Sequence, residues 1–311
     1  MRAIVIDQYG SANNLIERDV PMPDMKPNQV RIELYATSIN PIDWKLREGY
    51  LKEREPFAFP IILGWDAAGI IQEIGSDVTN FHVGDRVFAR PATTPNGTYA
   101  EYTAVDENLL AKIPENISFE EAAVVPLAGL TAWQCLVDFS KIKAGDKVLI
   151  HAGSGGVGSF AIQIAKHFGA YVASTASGKN EAFLNELGVD KFINYKEENF
   201  EEILKDYDIV VDTMGGAIQE KSFAVLKKGG KLVSIAQPPD DNLAASKGIT
   251  AGFLWLEPDG KQLAELGQLL ETGIVKANIG HTFPFNQDGL RLAHELSESH
   301  HAKGKIVIKI K

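Results

Sequence analysis

The chain has 311 residues, a 45% apolar fraction and a formal charge of −10, from 31 Lys and Arg against 41 Asp and Glu. That length suggests two domains with sizeable cores, and the acidic balance argues against nucleic acid or an anionic membrane as the main partner, while a local basic pocket for phosphate stays compatible with it. There is no apolar run of about eighteen residues, so no membrane span is expected. Residues 1–7 start directly with a strand-like Ala3-Ile4-Val5-Ile6 instead of a signal peptide, and the single cysteine, Cys135, excludes an intrachain disulfide framework and suits a cytoplasmic location.

In chain order, residues 1 to about 118 are strand-rich with Pro and Gly turns, and strands are predicted at 3–6, 30–39, 67–74, 85–89 and 99–105. Ser118-Phe119-Glu120-Glu121 reads as a capping box that opens a helix. Cys135 sits in the apolar helical stretch 130–137 and reads as core, not as a nucleophile. From about 118 to about 266, apolar strands at 147–151, 171–175, 191–193, 209–212, 231–235 and 249–255 alternate with helices around 159–168, 179–187, 200–204 and 217–226. That βαβ alternation implies a parallel, doubly wound sheet. A helix at 259–271 and a last strand at 305–309 follow, and this tail is expected to return to the first domain. The expected division is 1–118, completed by about 267–311, and 119–266.

The most informative stretch is 147–166, where a strand runs into Gly153, Gly155, Gly156 and Gly158 and then into helical apolar spacing. Gly153, Gly155 and Gly158 fit G-x-G-x-x-G in its strand-turn-helix setting, the arrangement that lets backbone approach a pyrophosphate at a helix N-terminus. An NAD site usually carries an acidic residue about twenty residues past the glycines. Here the second strand ends at Thr175 and no Asp or Glu comes before Glu181, whereas Ser177 and Lys179 can bind a 2′-phosphate. NADPH is therefore favoured over NADH, although Lys179 also reads as a solvated lysine opening the next helix.

Several ordered segments together resemble the zinc-free quinone oxidoreductase (zeta-crystallin-like) branch of the medium-chain dehydrogenase/reductase superfamily. They are Ser38-Ile39-Asn40-Pro41-Ile42-Asp43 with Arg47 and Gly49, Gly64-Trp65-Asp66-Ala67-Ala68-Gly69, Gly97-Thr98-Tyr99-Ala100-Glu101-Tyr102, the glycine turn, Ile193-Asn194-Tyr195 and Gly304-Lys305-Ile306-Val307. The resemblance implies an α/β protein with a GroES-like partial β-barrel catalytic domain and a Rossmann cofactor domain, with the active site in the cleft between them. It also implies a homodimer, for which residues 249–255 are the candidate edge, and burial within the domain explains those residues nearly as well.

The chain departs from the zinc enzymes of that superfamily at every ligand position. Asn40 stands at the first, Gly64-Trp65-Asp66 replaces the Gly-His-Glu motif, and the third ligand is missing around Leu127. No metal is expected. Without a Lewis acid, alcohol oxidation loses its route to an alkoxide, while reduction of an electrophilic acceptor stays feasible. The expected activity is NADPH-dependent hydride transfer to a small planar electrophile, a quinone or an α,β-unsaturated carbonyl. An enoyl-thioester reductase and a non-catalytic NADPH-binding redox sensor are the alternatives.

Roles follow from the resemblance and the motifs. Gly153, Gly155, Gly156, Val157 and Gly158 hold the pyrophosphate. Ser177, Lys179 and Tyr195 are candidates for the 2′-phosphate, with a strand-capping aromatic as the other reading of Tyr195. Thr131, expected at the start of an apolar helix, resembles the threonine near the nicotinamide ribose, and otherwise is an ordinary helix hydroxyl. Ala236 and Phe253 mark loops that present backbone to the nicotinamide. Lys305 approaches the cofactor phosphate or lies exposed. Asn40 is a donor to the substrate oxygen or the nicotinamide end and Asp43 orients Arg47 or the cofactor ribose, unless the pair is an Asx turn around Pro41. Tyr50 is a candidate hydrogen-bond or proton donor, or a loop aromatic. Trp44, Trp65, Phe57 and Trp255 are candidates for the wall of a flat apolar pocket, or core.

Overall fold

A computed structural model describes all 311 residues, Met1–Lys311. Two compact units divide the chain: Met1–Leu130 with Pro258–Gly273 and Ala277–Lys311, and Thr131–Glu257 with Ile274–Lys276.

The first unit opens with β1 (Arg2–Ile6), β2 (Ile16–Asp19) and the long β3 (Gln29–Ile39), then α1 (Pro41–Arg47). β4 (Ile61–Ile62), β5 (Ala67–Ile74), β6 (Arg86–Ala89), β7 (Tyr102–Asp106) and β8 (Leu110–Lys112) follow, then α2 (Phe119–Ala123) and α3 (Pro126–Trp133). β3 is the spine: it pairs antiparallel with β5 and with β7. Its first residues alternate between half-buried and buried, and its last four, 36–39, are buried on both faces. Pro41 ends the strand, because it has no N–H to give a ladder, and its fixed φ starts α1 at the first helical position. The capping box at Ser118 is present, with Ser118 Oγ accepting from Glu121 N.

The second unit contains β9 (Lys147–Ile150), α4 (Gly156–His167), β10 (Tyr171–Ala176), α5 (Glu181–Glu186), β11 (Lys191–Asn194) and α6 (Phe200–Ile203). It continues with β12 (Tyr207–Asp212), α7 (Gly216–Ser222), β13 (Leu226–Ser234), α8 (Asp241–Lys247) and β14 (Thr250–Phe253). Six parallel strands stand in the order β11-β10-β9-β12-β13-β14. The order reverses between β9 and β12, which is the topological switch point of a doubly wound sheet. The core on one part of this sheet is Leu149, Ala173, Val210, Phe223, Leu232 and neighbours.

The chain then returns to the first unit with α9 (Gly260–Glu271), β15 (Ile279–Pro284), α10 (Gln287–Glu298) and β16 (Lys305–Lys309). β16 pairs antiparallel with β3 and parallel with β15, closing a sheet in the order β15-β16-β3-β5-β6-β8. The units part at Leu130 and Glu257, where 118 and 266 were expected: α2 packs onto β3 and β5, and α9 packs onto β8.

Several elements differ from expectation, among them the strand expected at 99–105, which begins at Tyr102. The helix expected at 217–226 stops at Ser222, and Leu226 begins β13, since Tyr207 pairs with Leu226 before a register shift. The strand expected at 249–255 stops at Phe253 because its partner β13 ends at Ser234. β15 has Gly280 and ends at Pro284, residues that lower strand propensity, and its pairing with β16 carries it. No helix is long and apolar enough to cross a membrane.

Candidate functional site

In the second unit, the glycine turn joins β9 to α4, with Gly155 as N-cap and Gly156, Val157 and Gly158 as the first three helical residues. Their amides have no partners within the helix and carry its positive dipole end. The turn is folded on itself: Gly155 N donates to Ala152 O at 3.0 Å and Gly153 N to Thr175 O at 3.0 Å. A Cβ on Gly153 would lie 2.0 Å from Ser174 Oγ, and one on Gly158 would lie 2.4 Å from Ala152 O, so neither position admits a side chain. The residues present fit a dinucleotide pyrophosphate.

Ser177, Lys179, Tyr195, Ala236 and Phe253 lie along the same carboxyl-terminal edge of the sheet. Ser177 follows β10 and leads into a short 3-10 turn containing Lys179, while Tyr195 follows β11. The strands pair Ala176 with Asn194, and Tyr195 N donates to Ala176 O at 3.2 Å. Lys179 is exposed, with no carboxylate in contact, and Tyr195 is 55% exposed. Ala236 follows β13 and Phe253 ends β14, with Ser234 and Phe253 in register and Leu254 N donating to Ser234 O at 2.8 Å.

Sequence reasoning missed the side chains that tie this edge together. Asn180 donates to Ser154 Oγ at 2.9 Å, linking the Ser177 turn to the glycine turn. Thr175 Oγ1 accepts from Ala152 N at 3.2 Å and contacts His151 Nδ1 at 3.1 Å. Burial pushes His151 down to about 4, so it stands neutral at physiological pH. Gln134 clasps the chain beyond β14, donating to Glu257 O at 2.7 Å and accepting from Glu257 N at 3.2 Å. Thr131 is buried in the sixth position of α3, rather than at the helix start, just before a π-helical stretch at Gln134–Phe139. Cys135 lies in that stretch, fully buried, its thiol pushed up by burial.

In the first unit, the β3–α1 junction and β16 assemble a buried polar cluster. Asn40, Asp43, Arg47, Asp66, Tyr99, His294 and Lys305 are all buried. Asn40 is the N-cap of α1, and its backbone N donates to Asp43 Oδ2 at 2.7 Å. Its side-chain Nδ2 donates to Asp66 Oδ2 at 2.7 Å, and Oδ1 accepts from the Lys305 ammonium. Lys305 also donates to Ile39 O at 3.0 Å and stands 3.6 Å from Asp66 Oδ2. Asp66 accepts further from Ser38 Oγ at 2.5 Å and from Leu127 N, in the first turn of α3, at 2.8 Å. Burial pulls the Lys305 ammonium down, opposed by Asp66 and Asp43.

Two expectations are corrected here. Lys305 is 4% exposed, and its ammonium is committed to Asn40, Ile39 and Asp66, so it is not a surface lysine. β16 carries it inward because Lys305 is the first residue of a strand whose next three residues are core. Asp43 does not touch Arg47. Tyr99 Oη donates to Asp43 Oδ2 at 2.9 Å, His294 Nε2 meets Tyr99 Oη at 3.0 Å, and His294 Nδ1 meets Arg47 Nη1 at 3.1 Å. A guanidinium only donates, so Nδ1 of His294 accepts, its Nε2–H donates to Tyr99, and Tyr99 donates to Asp43. Burial pushes His294 down to about 3 and Asp43 up to about 7. Gly64 makes room for this chain: with φ +85°, a Cβ there would lie 2.5 Å from the Tyr99 ring.

Tyr99 lies in one of the resembling segments but was given no role, and His294 comes from α10, 195 residues further on, so nothing local in the sequence joins them. Arg90 was missed too. It is 3% exposed, donates to Pro91 O and to Thr93 Oγ1 at 2.9 Å, and burial lowers it against the pull of Asp66, Asp43 and Glu55. Tyr50 is not gathered into the cluster. It is 71% exposed on the turn after α1, edge-on to Trp44 at 6.3 Å between ring centroids. Trp65 is fully buried core with Nε1 bonded to Thr94 O at 3.2 Å, which removes it from a pocket wall.

Comparison with known proteins matches residues 187–308 to the zinc-binding dehydrogenase family model and residues 26–115 to the alcohol dehydrogenase GroES-like domain. A 2-methylene-furan-3-one reductase of Solanum lycopersicum is 38% identical over 99% of this chain and 79% of that protein. An NADPH-dependent alkenal/one oxidoreductase of Arabidopsis thaliana, chloroplastic, is 37% identical with the same coverage. The solved structure of the quinone oxidoreductase from Coxiella burnetii superimposes with a TM-score of 0.93 at 37% identity, covering 100% of this chain and 99% of that one.

The match to zinc-binding dehydrogenases raises zinc as a candidate metal. No three His, Cys, Asp or Glu side chains gather where they could hold a metal ion. Asn40 is held by Lys305 and Asp66, Trp65 is core, and Leu127 offers a backbone N–H, which is a donor and not a ligand. A buried ammonium beside Asn40 would repel a cation. The residues do not fit zinc.

Proposed function

Because the chain belongs to the quinone oxidoreductase branch of the medium-chain dehydrogenase/reductase superfamily, whose members use a pyridine nucleotide, we propose that it is an NADPH-dependent reductase of quinones or α,β-unsaturated carbonyls, acting without zinc. The observation that carries this reading is the glycine turn at the head of α4, closed to side chains at Gly153 and Gly158 and presenting the amides of Gly156, Val157 and Gly158. The activities for which the relatives are named, on an alkenal or enone and on a quinone, support this acceptor class.

NADPH supplies a hydride from its dihydronicotinamide C4 when bound. The chain's residues do the rest. The amides at the start of α4 hold the pyrophosphate. Ser177, Lys179 and Tyr195, at the ends of neighbouring strands with no carboxylate on Lys179, hold the 2′-phosphate and select NADPH over NADH. Backbone at Ala236 and Phe253 orients the nicotinamide, and Thr131 its ribose. Asn40 donates to the acceptor oxygen, where negative charge builds as hydride adds at carbon. Solvent water supplies the proton to the resulting enolate or hydroquinone anion.

The reading includes a homodimer and a cytoplasmic location. β14 is the edge strand of the six-stranded sheet, and Phe253, Leu254 and Trp255 at its end are half-buried, an edge suited to pairing with a second copy. One buried free cysteine suits a reducing compartment. The test of the function is NADPH oxidation by the purified protein against panels of simple quinones and α,β-unsaturated aldehydes and ketones, with NADH as control. Turnover on one panel with an NADPH preference is expected. Tight NADPH binding with no turnover on any acceptor would overturn the reading in favour of a sensor.

A further inference from the structure

Asn40 stands where the resemblance places the first metal ligand of the zinc-dependent relatives, and here it and the neighbouring Asp66 meet a lysine. The Lys305 ammonium reaches Asn40 Oδ1 and Ile39 O, and lies 3.6 Å from Asp66 Oδ2. The Asn40 carboxamide lies between a cation at its oxygen end and an anion at its nitrogen end. That arrangement fixes the amide's orientation. Turned over, it would set the Nδ2 donors against the Lys305 ammonium and Oδ1 against the Asp66 carboxylate, two repulsive contacts in place of two charge-assisted bonds. Asp66 is itself fixed by Ser38 Oγ and Leu127 N, so the clamp does not depend on a mobile group.

Asn40 spends one Nδ2–H on Asp66, and its second Nδ2–H has no protein partner. The charges are buried, with Lys305 4% and Asp66 0% exposed, where water screens them least. An ammonium bonded to the carbonyl end of an amide draws electron density toward oxygen and strengthens the N–H as a donor.

We propose that the Lys305 ammonium takes over the electrostatic part of the absent metal's task, and that Lys305 and Asp66 are positioning residues that aim and strengthen the free Nδ2–H of Asn40 toward the oxygen of a conjugated carbonyl or quinone. This rests on the reductase reading above. In the step it serves, hydride from the dihydronicotinamide adds to the β-carbon of the acceptor, the C=C pair shifts to form an enolate, and the negative charge settles on the oxygen that Asn40 meets. Water then protonates the enolate carbon, leaving the saturated carbonyl, NADP+ and hydroxide.

The experiment is a mutant cycle on the whole protein with NADPH and one enone, using Asn40→Ala, Lys305→Met, Asp66→Asn and each of the latter two combined with Asn40→Ala. Loss of one oxyanion donor lowers kcat by about 100- to 1,000-fold, so Asn40→Ala should fall in that range. Lys305→Met should lower kcat by about 10- to 100-fold, with the KM for NADPH held within about threefold, because it acts through Asn40 and not on the cofactor. The double variant should then be no slower than Asn40→Ala, within about threefold. A Lys305→Met rate within about threefold of wild type, or a double variant whose loss is the product of the two single losses, overturns the proposal. Should Lys305→Met fail to fold, Asp66→Asn carries the same expectation and the same refutation. A second readout needs no turnover: in protein labelled with 15N-asparagine, with the Asn40 side-chain signal assigned by its loss in Asn40→Ala, that signal should shift in Lys305→Met or Asp66→Asn. An unmoved signal overturns the clamp, whereas a wild type that reduces no acceptor overturns the reductase reading instead.

Discussion

Replacing Asp43 by Asn tests the buried network through its dependence on pH. The Asp43 carboxyl is fully buried, and burial raises it from 3.8 to about 7. Both of its hydrogen bonds, from Asn40 N and Tyr99 Oη, fall on Oδ2, while Oδ1 has none. A group whose folded value is raised stabilises the protein below its unfolded value, and that stability is lost as pH rises through the folded value. Here the window runs from 3.8 to about 7. Between roughly pH 5 and pH 8 the folded carboxyl gives up its proton while the unfolded one is already ionised, and at about 1.4 kcal/mol per pKa unit this costs the wild type about 3 kcal/mol. Asparagine keeps an acceptor oxygen for both bonds and cannot ionise. Its amide nitrogen takes the place of the unpartnered Oδ1 and leaves two buried N–H donors unsatisfied where the neutral acid has one O–H, an excess of about 1–3 kcal/mol. Asp43→Asn should therefore be the less stable protein at pH 5 and recover by about 3 kcal/mol relative to wild type by pH 8. His294 works in the opposite sense: depressed from 6.5 to about 3, it gives stability above its unfolded value that is lost as pH falls through the folded one. It is common to both proteins and cancels in the difference. Urea unfolding followed by tryptophan fluorescence, with the two proteins compared at each pH, measures the effect. A difference between them that stays constant from pH 5 to pH 8 would refute the argument.

Three further outcomes are expected. Lys179→Ala should raise the KM for NADPH about tenfold and leave that for NADH within about twofold, because only the former carries the 2′-phosphate; equal effects on both would remove Lys179 from the phosphate site. Gly158→Ala puts a Cβ 2.4 Å from Ala152 O and 2.7 Å from Gly153 Cα, so it should weaken NADPH binding at least about tenfold in a fluorescence titration and cost about 1–3 kcal/mol of stability. An unchanged dissociation constant would mean that the turn does not hold the pyrophosphate. Leu254→Glu places a charge at the end of the β14 edge and should shift the mass by light scattering toward monomer; an unchanged mass would count against pairing through this edge.

The elements readable in the sequence are those whose signal is local. Val148, Leu149 and Ile150 are an apolar strand running into four glycines, and Ser118 with Glu121 is a capping box; both appear as read. The buried cluster was legible only in part. Asn40 and Asp43 lie in one recognisable motif, but Lys305 comes 265 residues after Asn40, and His294 comes 195 residues after Tyr99. A lysine beginning a strand carries no mark of whether its ammonium meets water or a buried amide. That is decided by β16 pairing with β3, which sets Ile306 opposite Ile39 and so brings Lys305 to the β3–α1 junction. A separate pairing, with β16, explains why β15, with a glycine inside and a proline at its end, forms at all. Asp43 was read toward Arg47 because both lie on α1, whereas Tyr99 and His294, from distant parts of the chain, stand between them.

The central claim is hydride transfer to a conjugated acceptor by a site that needs no metal. Its most direct test is reduction of an enone by the EDTA-treated protein with NADPH dideuterated at C4, the product being read by mass spectrometry and NMR. The account predicts one deuterium on the β-carbon of the saturated product and a rate that the chelator does not change. An unlabelled product, or activity lost to EDTA and restored by Zn2+, would contradict it.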